Sequence, residues 1–185
     1  MTENPITDTK ALRALSHPFR WKLLQLLTEQ GPRTATQCSE ALGESVASCS
    51  YHLNMLAKYG FVGEVEGPGR QKPWKIVHKR QSISTEGLEG EAAMAAEAAS
   101  MAFLDQEFER MRERLRQWEH LPAEWRKAVG TEGTVKFITA AEAVEYVAEL
   151  QALLDKYDER RLDPSLRPEG SRAVRFFLSH TVGPE

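Results

Sequence analysis

Between residues 34 and 61, apolar and polar positions follow the pattern of two short helices separated by a glycine. Thr34 and Gln37 have the spacing of a capping box at the start of the first helix, and Gly43 can turn the chain after it. The pattern predicts a helix-turn-helix whose second helix spans residues 46–59. Apolar positions in that second helix recur every three or four residues, as on one buried face; they are Val46, Cys49, Leu53, Leu56 and Ala57.

A β-hairpin is predicted directly after the two helices. Residues 61–65 and 73–78 have the composition of extended segments, and residues 66–72 between them contain two glycines and a proline, which favour a turn. Arg70 and Lys72 make this turn basic and therefore attractive to phosphate. A hairpin in this position is the wing of a winged helix-turn-helix.

The outward face of the second predicted helix carries side chains suited to DNA. Small residues at its start allow close approach to base edges, and hydroxyl and aromatic groups offer hydrogen bonds and methyl contacts. We predict base contacts from Ala47, Ser48 and Tyr51. Contacts to the DNA backbone are predicted from Thr36, Gln37, Ser50, His52, Lys58, Arg70 and Lys72.

Three segments together resemble the ArsR-type winged-helix repressors: ALSHPFRWKLL at 14–24, SYHL at 50–53 and YGFV at 59–62. The resemblance covers roughly residues 9–80 and implies a dimeric transcriptional regulator with its second helix in the major groove. It does not imply metal sensing. Metal-sensing members carry two cysteines separated by one residue in the preceding helix, where this chain has only Cys38. We expect no metal site and no cofactor.

A long helix is predicted over residues 91–120, after a polar, glycine-containing stretch. Six of its apolar positions alternate in steps of three and four, which is the pattern of a heptad seam. Because a seam of this length exceeds what a small winged domain can cover, we predict that two copies of the chain associate through it. The alternative is that the seam packs on later parts of the same chain. The seam residues are Met101, Leu104, Phe108, Met111, Leu115 and Trp118.

The end of the chain is predicted to form a small strand-helix-strand unit. Residues 134–139 and 172–179 are rich in β-branched and aromatic residues. Thr139 and Glu142 form a second capping box, for a helix that ends near Arg161. The predicted fold class is therefore mainly α with a small β component. This arrangement resembles a non-metal-sensing branch of ArsR-like regulators with an extended C-terminal region.

Charge is distributed unevenly along the 185 residues, whose net charge is −3. Residues 1–80 hold 11 Lys and Arg against 7 Asp and Glu, whereas residues 81–185 hold 13 against 20. A basic first part fits a nucleic-acid module. We therefore assign residues 1–82 to a DNA-binding domain and 83–185 to a dimerisation and possible effector domain.

The remaining patterns bear on location and chemistry. No apolar run approaches the roughly 18 residues of a membrane helix, and the first residues lack the apolar block of a signal peptide, so a cytoplasmic protein is expected.

Ser50 and His52 are two residues apart and point to different helix faces. No phosphate-binding loop is present, and we predict no catalytic site. Cys38 and Cys49 are expected to be buried and apolar.

The predicted function is that of a homodimeric repressor that recognises a double-stranded DNA operator. Two alternatives remain open. The winged helix could instead serve as a scaffold for protein partners. A regulator of this kind could also hold a small-molecule effector, of unknown identity, in its C-terminal region.

Overall fold

The computed structural model describes residues 6–67, 71–77 and 83–183. It divides into two compact units, Met1–Arg116 and Gln117–Glu185. Short 3₁₀ turns lie at Trp118–His120 and Pro164–Leu166. The other elements, in chain order, are α1 (Thr9–Leu15), α2 (Pro18–Gln30), α3 (Ala35–Leu42), α4 (Val46–Lys58), β1 (Val62–Glu64), β2 (Trp74–Ile76), α5 (Gly90–Arg116), α6 (Ala123–Arg126), α7 (Ala140–Asp155) and α8 (Glu159–Leu162).

Helices α3 and α4 form the predicted helix-turn-helix. The capping box of α3 is present, with the Gln37 backbone N–H donating to Thr34 Oγ1 at 3.2 Å and the Thr34 N–H donating to Gln37 Oε1 at 2.9 Å. Gly43 ends α3 in the left-handed conformation, at φ 69°, which glycine adopts without strain. Ser45 then caps α4 by accepting a hydrogen bond from the Ser48 N–H at 3.1 Å.

The core of the first unit fixes the rotation of α4. Cys49, Leu53 and Leu56 are fully buried, and α4 packs against both α2 and α3. Val46, which the pattern assigned to the inward face, is instead exposed. It is the first residue of α4 and therefore lies at the end of the buried face, in a turn that the core does not cover.

The wing is a two-stranded antiparallel sheet in which Val62 pairs with Ile76 and Glu64 with Trp74. Both predicted strands are confirmed in shorter form. Trp74 also exchanges two backbone hydrogen bonds with Arg33, of 3.0 and 2.8 Å, so the wing is joined to the residue just before the α3 cap. A Cβ added at Gly67 would lie 2.7 Å from Pro73 Cδ, and this close approach requires glycine.

Helix α5 confirms the predicted long helix but ends four residues early. Leu121 has an extended backbone, with ψ 144°, as a residue before proline is expected to have. Trp118 therefore lies outside α5, in a 3₁₀ turn of the second unit. Helix α5 packs against α1 and α2, and the first compact unit extends to Arg116; the division into a DNA-binding domain up to residue 82 and a dimerisation domain after it stays a prediction. None of the described helices combines the length and apolar character needed to cross a bilayer.

In the second unit the predicted helix is confirmed and the two predicted strands are wrong. The Thr139–Glu142 capping box of α7 is present, but the helix stops at Asp155, because Tyr157 has a positive φ of 74°. Residues 134–139 and 172–179 are in no strand. An extended segment becomes a strand only by pairing with another, and neither segment pairs within the described part of this chain.

We predict that Leu53→Ala lowers the free energy of unfolding by about 2–5 kcal/mol, because it leaves a cavity at a fully buried position. Tyr51→Ala, two residues away on the same helix, should change it by less than about 0.5–1 kcal/mol, because the Tyr51 side chain is 59% exposed. Denaturant titration of both variants measures the difference. A larger loss for Tyr51→Ala would mean that the inward face of α4 is misassigned.

Candidate nucleic-acid interface

The outward face of α4 carries five of the ten residues predicted to contact DNA. Ala47, Tyr51 and Lys58 are exposed, and Ser48 and Ser50 are partly buried. The exposed Asn54 amide donates a hydrogen bond of 2.8 Å to the Ser50 carbonyl. The first turn therefore presents only small side chains, and Tyr51 projects from the next turn. A helix with this shape can approach base edges closely.

A second group of predicted contacts surrounds an open depression of about 450 Å³ between the start of α3 and the turn of the wing. Thr36 and Gln37 of α3 line one side, and Lys72 lines the other. The backbone N–H groups of a helix's first turn have no carbonyl partner within the helix and carry partial positive charge. Together with the Lys72 ammonium, they form a surface that suits a phosphate group.

Gln71 also lines this depression, and sequence reasoning missed it. The chain pattern placed it in the turn but gave no sign that the turn folds back beside α3. That placement depends on the backbone pairing of Arg33 with Trp74, which joins residues distant in sequence. The Lys72 ammonium lies 3.4 Å from a Glu64 carboxylate oxygen. Because both side chains are well exposed, this ion pair is weak and its lysine can exchange partners. Arg70 lies outside the described residues.

His52 requires a correction. It was predicted to contact the DNA backbone as an exposed flank of α4, but its side chain is buried, at 9% exposure. Its Nδ1 accepts a hydrogen bond of 3.3 Å from the Arg20 Nε–H, and the Arg20 Nη1 group donates to the Ala14 carbonyl at 2.6 Å. A helical pattern cannot reveal such a partner, since Arg20 is 32 residues earlier in the chain.

Aromatic rings surround His52. The centroid of the His17 ring lies 4.5 Å away, that of Phe19 5.1 Å and that of Tyr51 5.1 Å. Burial lowers the pKa of His52 from its ordinary value of 6.5, and electrostatic interactions with His17 and Arg20 add to this, while Glu44 partly opposes it. His52 therefore connects the Tyr51 side chain to the start of α2 through packing.

Both cysteines are free and buried, as expected. Burial raises the pKa of Cys38 to about 11, with a contribution from Cys49 that Arg33 partly offsets. Burial also raises the pKa of Cys49, as does Glu44. Thiols with raised pKa values are poor nucleophiles and poor metal ligands. Within the described part of the chain, no three His, Cys, Asp or Glu side chains are grouped so that they could hold a metal ion.

The predicted dimerisation residues lie on one face of α5, apart from Trp118. Met101, Phe108 and Leu115 are exposed, and Leu104 and Met111 are partly buried. The opposite face of α5 is buried against the first unit through small side chains, which are Ala95, Ala96, Ala99 and Ala102. An exposed apolar face with this regularity is typical of a surface that meets another protein.

Residues 15–65 match a family model described as a helix-turn-helix domain. These residues form a helix-turn-helix domain. The matched range covers α3, α4 and the first strand of the wing, and it agrees with the resemblance to ArsR-type regulators in this part of the chain.

A segment of 59 residues is 41% identical to a probable mercury resistance operon repressor from Streptomyces lividans. The aligned segment covers 32% of this chain and 46% of the relative. The chain thus spans about half the length of the curated relative it matches. Helix α3 of this chain contains a single cysteine, Cys38.

We predict that acid weakens the fold through His52. Its pKa is lower in the folded protein than the unfolded value of about 6.5, so the unfolded state binds more protons in the interval between the two values. The stability due to neutral His52 is complete above pH 6.5 and is lost as the pH falls through the folded pKa. His52→Gln should flatten the fall in unfolding free energy between pH 7 and 5, measured by denaturant titration.

The control for this measurement is His180→Gln, which removes an exposed histidine of the second unit. It should leave the pH dependence as in the wild type. An unchanged pH dependence in His52→Gln would show that a different group governs the acid response.

Proposed function

We propose that this protein is a sequence-specific DNA-binding transcriptional regulator, acting as a homodimeric repressor of the ArsR-like type. Helix α4 would enter the major groove, and the wing would contact the DNA backbone or the minor groove. The observation that carries the proposal is the two-sided character of α4. Its inward face is fixed by three fully buried residues, and its outward face presents small and hydrogen-bonding side chains where a groove would meet it.

The depression between α3 and the wing supports the same orientation. A helix whose outer face lies in the major groove brings the elements beside it against the flanking phosphates. Thr36, Gln37 and Lys72 line one depression beside that helix. In this proposal they are backbone contacts, and Ala47, Ser48 and Tyr51 are base contacts. His52 takes a supporting role, by packing against Tyr51.

The similar protein from Streptomyces lividans supports the functional class, since it is described as a probable mercury resistance operon repressor. What carries over to this chain under the proposal is repression by DNA binding. Mercury itself does not carry over, because the two thiols of this chain are buried and have raised pKa values.

Two observations support self-association. The exposed apolar face of α5 has heptad spacing. In the second unit, none of the described side chains of residues 117–183 is buried. Even the apolar side chains of Val135, Phe137 and Phe176 are largely exposed. Ordering a residue costs about 1–2 kcal/mol of backbone entropy, which a unit offsets by burying apolar surface. A second copy of the chain would supply that surface.

Salt dependence tests the phosphate contacts. With about three to five contacts per subunit, the affinity of a dimer for duplex DNA should fall with salt along a log–log slope of about −5 to −9. Lys72→Ala should reduce the magnitude of the slope by up to about 2, because a dimer loses two contacts. Fluorescence anisotropy with a labelled duplex measures both values.

The matched control is Lys127→Ala, which removes an exposed lysine of the second unit and should leave the slope unchanged. Equal slopes for Lys72→Ala and the wild type would exclude Lys72 from the DNA contacts.

Oligomeric state tests the seam. Met101→Glu combined with Leu115→Glu should give a folded monomer, because both side chains are exposed in the single chain and facing carboxylates would repel across the interface. Affinity for a selected operator should fall by a factor of about 100 or more, because the second domain no longer docks intramolecularly. Sedimentation and anisotropy measure the two effects.

Met94→Glu provides the control, since it makes the same change at an exposed methionine of α5 that precedes the seam. A double variant that remained dimeric and bound its operator normally would contradict the role assigned to α5.

A further inference from the structure

Within the first unit, helix α5 packs on α1 and α2 through small side chains. The buried alanines of this contact are Ala95, Ala96, Ala99 and Ala102. Beside them, the ring of Phe103 packs on that of Trp21, with 4.8 Å between centroids. Small side chains allow two helices to approach closely, but they interdigitate little, so they only weakly define rotation and sliding of one helix on the other.

Four charged residues form hydrogen bonds at the far end of this contact. Glu29, in the last turn of α2, accepts a hydrogen bond from Arg110 at 2.8 Å through one carboxylate oxygen and from Arg114 at 3.2 Å through the other. The second Arg110 nitrogen donates to Glu107 at 3.2 Å. The Arg110 and Glu107 side chains are only 8% and 5% exposed. We call Glu29, Glu107, Arg110 and Arg114 the Glu29 cluster.

Stability alone does not account for buried charges at this place. Removing an ion pair from water has a desolvation cost that its own attraction often fails to offset, so apolar residues of similar size would hold the helices together equally well. Guanidinium–carboxylate hydrogen bonds differ from apolar packing in being directional. Since Arg110 and Arg114 of α5 both donate to Glu29 of α2, and Glu107 holds the Arg110 guanidinium from within α5, the pairing favours one rotation and one register of α5.

The Glu29 cluster lies between the helix that supports α4 and the helix that carries the proposed dimer seam. Helix α2 packs on the recognition helix α4, while the outer face of α5 is the proposed dimer seam. We propose that Glu29 and Arg110 are positioning residues, which fix the angle between seam and recognition helix and thereby set the distance between the two half-sites that the dimer accepts. This inference rests on the proposed function as a DNA-binding dimer.

The test compares spacing preference in full-length proteins. Random-sequence duplexes are first selected with the wild-type protein, and the selected site is rebuilt with the gap between half-sites changed in single base-pair steps up to about half a helical turn. Wild-type affinity should fall by on the order of 100-fold at the wrong spacing, because only one subunit can then dock. For Arg110→Met the fall should shrink to about tenfold or less.

Glu29→Gln is the second variant, since it keeps the shape of a partly buried side chain and removes only its charge. It should broaden the spacing preference in the same direction. The matched control is Glu91→Gln, which breaks another contact between α5 and the first unit, an ion pair of 2.9 Å with Arg13 whose two side chains are exposed. The control should keep the wild-type preference.

The outcomes are distinct. A folded Glu29→Gln protein with a lowered melting temperature but a spacing preference as sharp as the wild type would overturn the positioning role and leave the cluster purely structural. A wild-type protein that binds DNA but has no preferred spacing would overturn the dimer in the proposed function, and the positioning role with it.

Discussion

Burial of one face of α4 is the constraint on which the proposed interface depends. Cys49, Leu53 and Leu56 are fully buried in the first unit, so rotation of the helix would expose three apolar side chains. Exposing a leucine side chain costs about 1.5–3 kcal/mol of burial free energy. The outward face is thereby determined. The rotation of α4 determines which side chains can make the proposed base contacts. It also influences the position of the wing, because α4 leads directly into β1.

The elements around α4 hold it in place from three directions. Helix α3 packs beside it, and the Arg33–Trp74 backbone pair joins the wing to the residue before α3. On the remaining side, Arg20 connects the His52 ring of α4 to the carbonyl of Ala14 at the end of α1. Within the same unit, alanines and the Glu29 cluster hold one face of α5, while the other face carries the exposed Met101, Phe108 and Leu115. In the proposed dimer, this second face contacts the partner chain.

Local signals in the sequence predicted local structure well. Both capping boxes and the glycine at the end of α3 were confirmed, because a cap involves residues three or four apart and needs no distant partner. The wing was also recognisable, since a hairpin pairs neighbours. Helical periodicity also separated the buried face of α4 from its exposed face, whereas the DNA contacts assigned to that face and to α3 stay predictions.

Features set by distant residues could not be predicted in the same way. The burial of His52 depends on Arg20, and the position of Gln71 depends on the pairing of Arg33 with Trp74. The prediction of strands at residues 134–139 and 172–179 was wrong because a strand needs a partner that the described chain does not supply. The sequence pattern did not identify the alanine face of α5 as its buried face, because the larger methionine and leucine side chains on the opposite face gave the stronger hydrophobic signal.

Photocrosslinking from position 51 tests the central claim most directly. Tyr51 is replaced by a photoreactive phenylalanine derivative, the protein is bound to a selected duplex, and the attached bases are mapped after irradiation. The proposed interface predicts attachment to bases in the major groove at two places, one in each half-site and separated by about one helical turn or a multiple of it. Normal DNA binding without attachment from position 51, alongside attachment from the same group placed at an exposed residue of the second unit such as Tyr146, would contradict it.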